Sequence, residues 1–409
     1  MAAQDVTMLS LDEASAMLVA DVAPVGDELV DVAQCAGRVL AADVVATRDQ
    51  PGAAISAMDG FAVRDDDARS GARLRLVGNS AAGAPWSGTV EPGTAVRVAT
   101  GGVVPDGTDR VLIQEIVERA GEVVTIREPP GPQSYVRLRG ADFAAGETLL
   151  QSGDWLSPGR VGLAAAANHA ALHVRRRPRI IILASGDELR EPGSDLDVGM
   201  VVNSAAYALA ALIGAWGGDV VRRPILPDEL EPTIAALGRG VLDADLIVPL
   251  GGASVGERDV LRPAFAALGA RILFDRVAVQ PGKPTWHARF DDGRLVVGLP
   301  GNPSSAFVCA HLFVRPIIDA LTARRTPTHP VHAILATAMP AGHDRETWWR
   351  GVASIDAAGL LSVTPGPRQD SNLQTPLATA NALVRRGVRC DATVAGDPVE
   401  ILLVGPLDA

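Results

Sequence analysis

Leu246-Ile247-Val248-Pro249-Leu250-Gly251-Gly252-Ala253-Ser254-Val255-Gly256-Glu257-Arg258-Asp259 passes from a continuous apolar run into a glycine-rich loop that ends in charges. Five apolar residues without alternation are the pattern of a strand covered on both faces. The same motif recurs on either side. Arg179–Ala184 reads as a strand, Ser204 as the cap of a helix to Trp216, and Val220–Leu226 as a second strand. Asp228 is placed to cap the next helix, Val260–Leu268 reads as another, and Leu295–Leu299 as a later strand behind an Asp292-Gly293 hairpin turn. Pro303 opens a long helix to about Ala323, kinked at Pro316. Strands alternating with helices imply right-handed crossovers and a parallel-rich sheet, so residues 177–326 read as one α/β unit.

Three further units surround it in this α/β multidomain reading. Residues 1–48 with 137–176 form a mixed, partly helical domain, opened by the capping box Ser10-Leu11-Asp12-Glu13. Residues 49–136 are rich in glycine and proline, with short β-branched runs at Val96–Ala99, Val111–Ile113 and Val123–Ile126, and read as an inserted β-rich domain. Residues 327–409 read as a C-terminal all-β unit, with strands at Val331–Ala338, Thr347–Ile355, Leu360–Thr364 and Val399–Val404.

A net charge of −11 without a long basic run argues against nucleic acid as a partner. The longest apolar stretch, Ala205 to Gly218, has 14 residues, too few to span a bilayer. The three cysteines are widely spaced without CxxC pairing and fit a reducing cytoplasm. The expectation is a soluble cytoplasmic protein with no membrane association.

Lys283 is the single lysine; the other 36 of 37 basic residues are arginine. A compact ammonium between prolines, in Gln280-Pro281-Gly282-Lys283-Pro284, suits a small anion or phosphate. In an open α/β sheet ligands bind beyond the carboxyl ends of the strands. Four loops are expected there: Ser185-Gly186-Asp187-Glu188, Gly251 to Asp259, the lysine loop, and Pro300-Gly301-Asn302-Pro303-Ser304-Ser305. Gly251, Gly252 and Gly256 let amides approach phosphate oxygens, Ser254 adds a hydroxyl, and the helix start at Pro303 offers free amides. Asp187, Glu188 and Asp259 are hard oxygen ligands suited to Mg²⁺. Singly, each loop also reads as an ordinary tight turn with solvated acids. Trp348-Trp349 with Arg350 reads first as core or interface packing, with stacking of a ligand ring as the lesser alternative. No Ser-His-Asp or Cys-His arrangement suggests itself.

Ser56-Ala57-Met58-Asp59-Gly60-Phe61-Ala62, Thr100-Gly101-Gly102 through Pro105-Asp106-Gly107 and Glu115, Arg139-Gly140-Ala141-Asp142, and the four loops occur in an order that resembles the MoeA family. These are the molybdopterin molybdotransferases, similar also to the C-terminal domain of gephyrin. The resemblance implies an elongated homodimer with an elongated first domain that dimerises, a molybdopterin-binding, MogA-like third domain and a β-barrel-like fourth. It implies Mg²⁺-assisted reaction of adenylylated molybdopterin with molybdate to give molybdenum cofactor and AMP. Molybdopterin adenylyltransferase and apo-molybdoenzymes would be possible partners.

By resemblance the site is shared between subunits, with Asp59, Thr100 and Asp142 opposite Glu188 and Asp259 as the catalytic set. Ser185, Gly186, Asp187, Asp228, Gly251, Gly252, Ser254, Gly256, Arg276, Pro281, Gly282, Lys283, Pro300, Gly301, Asn302, Pro303, Ser305 and Arg350 would bind substrate. Asp187, Glu188 and Asp259 would manage the metal. Three positions depart from the pattern: Gln280 stands where a second lysine is usual, Ala205 where asparagine is, and Asp370 where glycine is. Besides the active transferase, the sequence allows a catalytically weakened MoeA-like paralogue serving as a molybdopterin-binding chaperone or scaffold. An adenylyltransferase acting on molybdopterin is a third reading.

Overall fold

Seven strands build the central sheet in a computed structural model that describes residues 8–222, 224–238, 243–251, 260–325 and 329–407. Its order is Asp219–Arg222, Arg179–Ser185, Leu246–Leu250, Leu295–Gly298, Trp286–Arg289, Arg271–Phe274, with Ile225–Leu226 also on Arg179–Ser185. The first four are mutually parallel, and the last two add an antiparallel edge. Parallel pairing follows from helices on both faces, which is why Leu246–Leu250 is buried at every residue. The expected strand Val220–Leu226 is two short strands, separated around Pro224, which has no N–H for the ladder. The Asp-Gly hairpin is present: Gly293 adopts φ 91°, and Phe290 N donates to Arg294 O at 3.0 Å.

Gly298 pairs across the antiparallel edge with Trp286, where a Cβ would lie 1.9 Å from the indole nitrogen. No side chain larger than hydrogen fits above that ring. The helix opened by Pro303 runs as Pro303–Cys309, a π-turn at Ala310–Val314, and Arg315–Leu321. Arg315 N reaches back five residues to Ala310 O just before Pro316. The widened turn accommodates a proline that has no N–H to donate. This helix is long and apolar enough to cross a membrane, yet 78% of it is buried inside the protein. It is a core helix.

The first helix, Leu11–Val19, carries the capping box in full: Ser10 N donates to Glu13 Oε2 at 2.8 Å, and Glu13 N to Ser10 Oγ at 3.2 Å. It buries Leu11, Ala14 and Leu18 against the α/β core. The rest of that region pairs Asp27–Asp31 with Ala171–Arg175, and Val44–Val45 with Thr148–Leu150. The inserted β-rich region is a six-stranded sheet, which includes Gly60–Val63 and Arg73–Ser80. At the C-terminus Glu346–Ile355, Leu361–Pro365, Val331–Leu335, Pro398–Leu403 and Ala382–Arg386 pair in turn and close on the first strand, a five-stranded barrel. Val279–Gln280, just before the lysine, adds to this barrel rather than to the central sheet.

Two core histidines make stability depend on pH. Burial pushes the pKa of His287 down to about 4, and burial beside Arg315 pushes His311 to about 3, so both are neutral when folded. Below their ordinary 6.5 the unfolded chain takes up protons that the folded chain refuses. Stability present above pH 6.5 therefore drains as pH falls toward 4 and 3. Replacing His287 by Phe should flatten the fall, by roughly 3 kcal/mol between pH 7 and 4. Urea unfolding of both proteins across that range measures it; parallel curves would show that His287 contributes no such linkage.

Candidate active site

The chain leaves Arg179–Ser185 toward Asp219–Arg222 on one side and returns to Leu246–Leu250 on the other. Such a switch in strand order opens a crevice beyond the carboxyl ends of the strands. A cavity of about 1120 Å³ lies there. Ser185, Glu188, Asp228, Gly251, Arg276, Lys283, Pro300, Gly301, Asn302 and Pro303 line it, so all four expected loops reach one place. Close backbone packing shapes the floor. Gly251 has φ 89° and a Cβ there would meet Ser185 O at 2.9 Å, while one on Gly301 would lie 3.1 Å from Gly251 Cα.

Charge divides across the cavity in the order of the sheet. Acids follow the first strands: Glu188 and Asp228 line that side. Ser185 Oγ donates to Asp228 Oδ1 at 2.6 Å, and the amides of Asp187 and Asp228 each reach the other's carboxylate at 3.4 Å. Asp228 is thus turned into the loop and does not act as the helix cap expected of it. Cations come from the later segments, namely Arg262, Arg276 and Lys283. Arg262 pairs with Asp275 at 3.0 Å. Lys283 is exposed in the cavity, fixed by its backbone, whose carbonyl accepts from Val277 N at 3.0 Å. Gly282 packs tightly beneath it, where a Cβ would come 2.7 Å from Cys309 Sγ.

Other expected residues fall elsewhere. Gly252, Ser254, Gly256 and Asp259 lie outside the described residues. Gly186, Asp187, Pro281, Gly282 and Ser305 support the loops without lining the cavity. Ser304 N donates to Ser371 O at 3.0 Å, so one amide expected to face an anion is taken by the barrel. Gln280 does not line the cavity either; its Oε1 accepts from Arg345 at 3.1 Å. Asp59, Thr100 and Asp142 stand in other parts of the chain and also do not line it. Thr100 N and Oγ1 donate to Asp59 Oδ1 at 2.6 and 2.9 Å, holding that exposed carboxyl below the usual range.

Arg350, expected by resemblance to bind substrate, does not line the cavity. It is 3% exposed, and its guanidinium reaches Ser304 Oγ, Arg368 O at 3.3 Å and Asp370 O at 3.1 Å. Trp348 is buried in the core, its indole N–H given to Glu346 Oε1 at 2.8 Å. The segment that Arg350 holds brings Asn372 and Gln374 to the cavity, and Asn302 Nδ2 donates to Ser371 Oγ at 2.9 Å. Sequence reading missed these two and also Asn203, whose buried amide nitrogen has no partner among the described residues. Arg350→Ala should strip several carbonyls of a charged donor at once and cost about 3 kcal/mol in urea unfolding. A loss below about 1 kcal/mol would show that water replaces the guanidinium.

Comparison with known proteins agrees with this architecture. Profiles described as MoeA N-terminal region (domain I and II), probable molybdopterin binding domain, and MoeA C-terminal region (domain IV) match residues 9–168, 181–320 and 332–404. A molybdopterin molybdenumtransferase of Nostoc is 34% identical over 366 residues, 87% of this chain and 84% of its own. One from Haemophilus influenzae is 30% identical and is aligned over 97% of this chain and all of its own length. The crystal structure of the molybdopterin biosynthesis moeA protein from Pyrococcus horikoshii superposes with a TM-score of 0.83 at 25% identity, covering 97% of this chain and 100% of that one. A multidomain α/β protein with an inserted β-sheet region, a C-terminal barrel and a charge-lined crevice at the strand ends is the class these features define. The chain belongs to the MoeA family of molybdopterin molybdenumtransferases.

Proposed function

We propose that the chain inserts molybdate into adenylylated molybdopterin, forming molybdenum cofactor and releasing AMP. The observation that carries this is the division of the cavity into a side of net positive charge, where Arg276 and Lys283 stand beside the Arg262–Asp275 pair, and an acidic side, Glu188 and Asp228. A dianionic oxyanion and a pyrophosphate need fixed cations, and groups already in place cost no reorganisation during reaction. In this reading Lys283 and Arg276 hold molybdate and phosphate. Ser185 and Asp228 fix the loop that presents Glu188, and Asn372 and Gln374 orient the pterin from the barrel side.

Magnesium belongs to the proposal. Asp187 and Glu188 offer the hard oxygen donors it takes, with Asp259 as a third candidate outside the described residues. Among the described residues no three Asp, Glu, His or Cys converge, which suits an ion completed by substrate phosphate oxygens rather than a protein cage. Bound there, the ion would neutralise charge on the leaving phosphate.

The alternative of a weakened scaffold protein is less favoured by the site. Of the three departures from the family pattern, only Ala205 lines the cavity; Gln280 and Asp370 do not. The proposal extends to a cytoplasmic homodimer working with molybdopterin adenylyltransferase and apo-molybdoenzymes. Reconstitution tests the function: adenylylated molybdopterin, molybdate and the purified chain should activate an apo-molybdoenzyme with stoichiometric AMP. Binding of the pterin with no AMP released would favour the scaffold.

A further inference from the structure

A second cavity, of about 640 Å³, lies away from the crevice, where the α/β core meets the end of the barrel. One wall is the long core helix at and after its π-turn, and the other is Leu402, Leu403 and Val404. His311 sits in the π-turn between Trp216 and Phe307, each ring centroid 4.9 Å away. The imidazole is 9% exposed, and its Nε2 has no hydrogen-bond partner among the described residues. Arg324 Nε is a second buried donor without one. Buried donors of this kind are rarely left unpaired.

The charges beside them are unequal. Asp319, 6% exposed, accepts from Arg315 Nε at 3.1 Å and lies 3.7 Å from Arg324 Nη1. Two guanidiniums against one carboxylate leave a net positive charge in a protein of net charge −11. Arg324 is itself held in place, its Cζ 5.4 Å from the Trp155 ring centroid. Apolar surface from Trp216, Pro316, Ala320 and Leu402 completes the cavity. Its size falls within the range of small-ligand sites.

We propose that this cavity binds a small organic monoanion, a carboxylate on an aromatic or branched apolar body. The carboxylate takes the unused donors of Arg324, Arg315 and His311, and the body lies along Trp216 and Leu402. A compact inorganic anion would leave the apolar walls uncovered, and a neutral ligand would leave the excess charge unmatched. The ligand would touch the core helix and the barrel together, the position of an effector that stiffens their junction.

Titration calorimetry of the full chain with benzoate, benzamide and inorganic phosphate tests this. Benzoate should bind saturably and raise the melting temperature, with benzamide and phosphate each weaker by at least about tenfold. Ala320→Phe, which fills the cavity, should abolish benzoate binding, and His311→Phe should weaken it. If Ala320→Phe does not fold, Ala320→Leu should give a partial loss. Absence of saturable benzoate binding, equal binding of benzamide, or full benzoate affinity in the filled variant would overturn the proposal and leave the donors to water.

Discussion

Lys283→Ala is expected to lose molybdate insertion by roughly 10- to 150-fold at low molybdate, the equivalent of a charge-assisted contact worth about 1.5–3 kcal/mol. The fold should be unaffected, since the side chain is exposed in the cavity and the packing beneath it belongs to Gly282 and Cys309. Lys283→Arg should recover only part of the rate, because a planar fork cannot reproduce a compact ammonium in a narrow turn. Rates of cofactor formation against molybdate concentration, with a thermal melt as control, measure both. A half-saturating concentration equal to wild type in the alanine variant would remove Lys283 from the anion site.

The neighbouring position teaches the opposite lesson. Gln280 differs from the family's usual lysine, and the resemblance implies that this position faces the anion pocket. Its amide is instead occupied with Arg345, outside the cavity. Two residues three apart in a turn can face different domains, here because Val279–Gln280 is hydrogen-bonded into the barrel.

What was legible in the sequence was local. Continuous apolar runs gave the parallel strands, the Asp-Gly turn gave the hairpin, and Ser10 with Glu13 gave the first helix cap. What was hidden depended on contacts between distant segments. The strand Ala382–Arg386 is absent from the sequence reading, and its two arginines are held by other segments: Arg385 bonds Glu346 and Glu400, and Arg386 is 6% exposed with its guanidinium on the carbonyls of Pro340 and Asp391. Arg350 beside two tryptophans reads as packing, but the carbonyls that hold its guanidinium lie about twenty residues downstream and leave no local signal. Asn372 and Gln374 sit in a polar stretch with no periodicity, and only closure of the barrel brings them to the crevice. The four loops were found because the sheet itself dictates where strand ends meet.

The expected catalytic set is divided in the single chain, and mixing two inactive variants should reunite it if the site is shared between subunits. Asp59 belongs to the inserted β-rich region and is held by Thr100, whereas Glu188 lines the crevice, and Asp59 does not. If each site takes Asp59 from one subunit and Glu188 from the other, Asp59→Asn and Glu188→Gln proteins should each be inactive. A mixed dimer would then hold one site with both acids intact and one with neither. Half the dimers are mixed after random exchange and each has one good site of two, so activity should return to about a quarter of wild type. The Asp59 substitution keeps the shape of the side chain but weakens what it accepts from Thr100, so thermal melts should accompany the rates. Activity that stays absent after exchange has been verified by differently tagged subunits would mean that Asp59 works within its own chain. Recovery near a quarter could not arise that way, because every single chain in the mixture lacks one of the two acids.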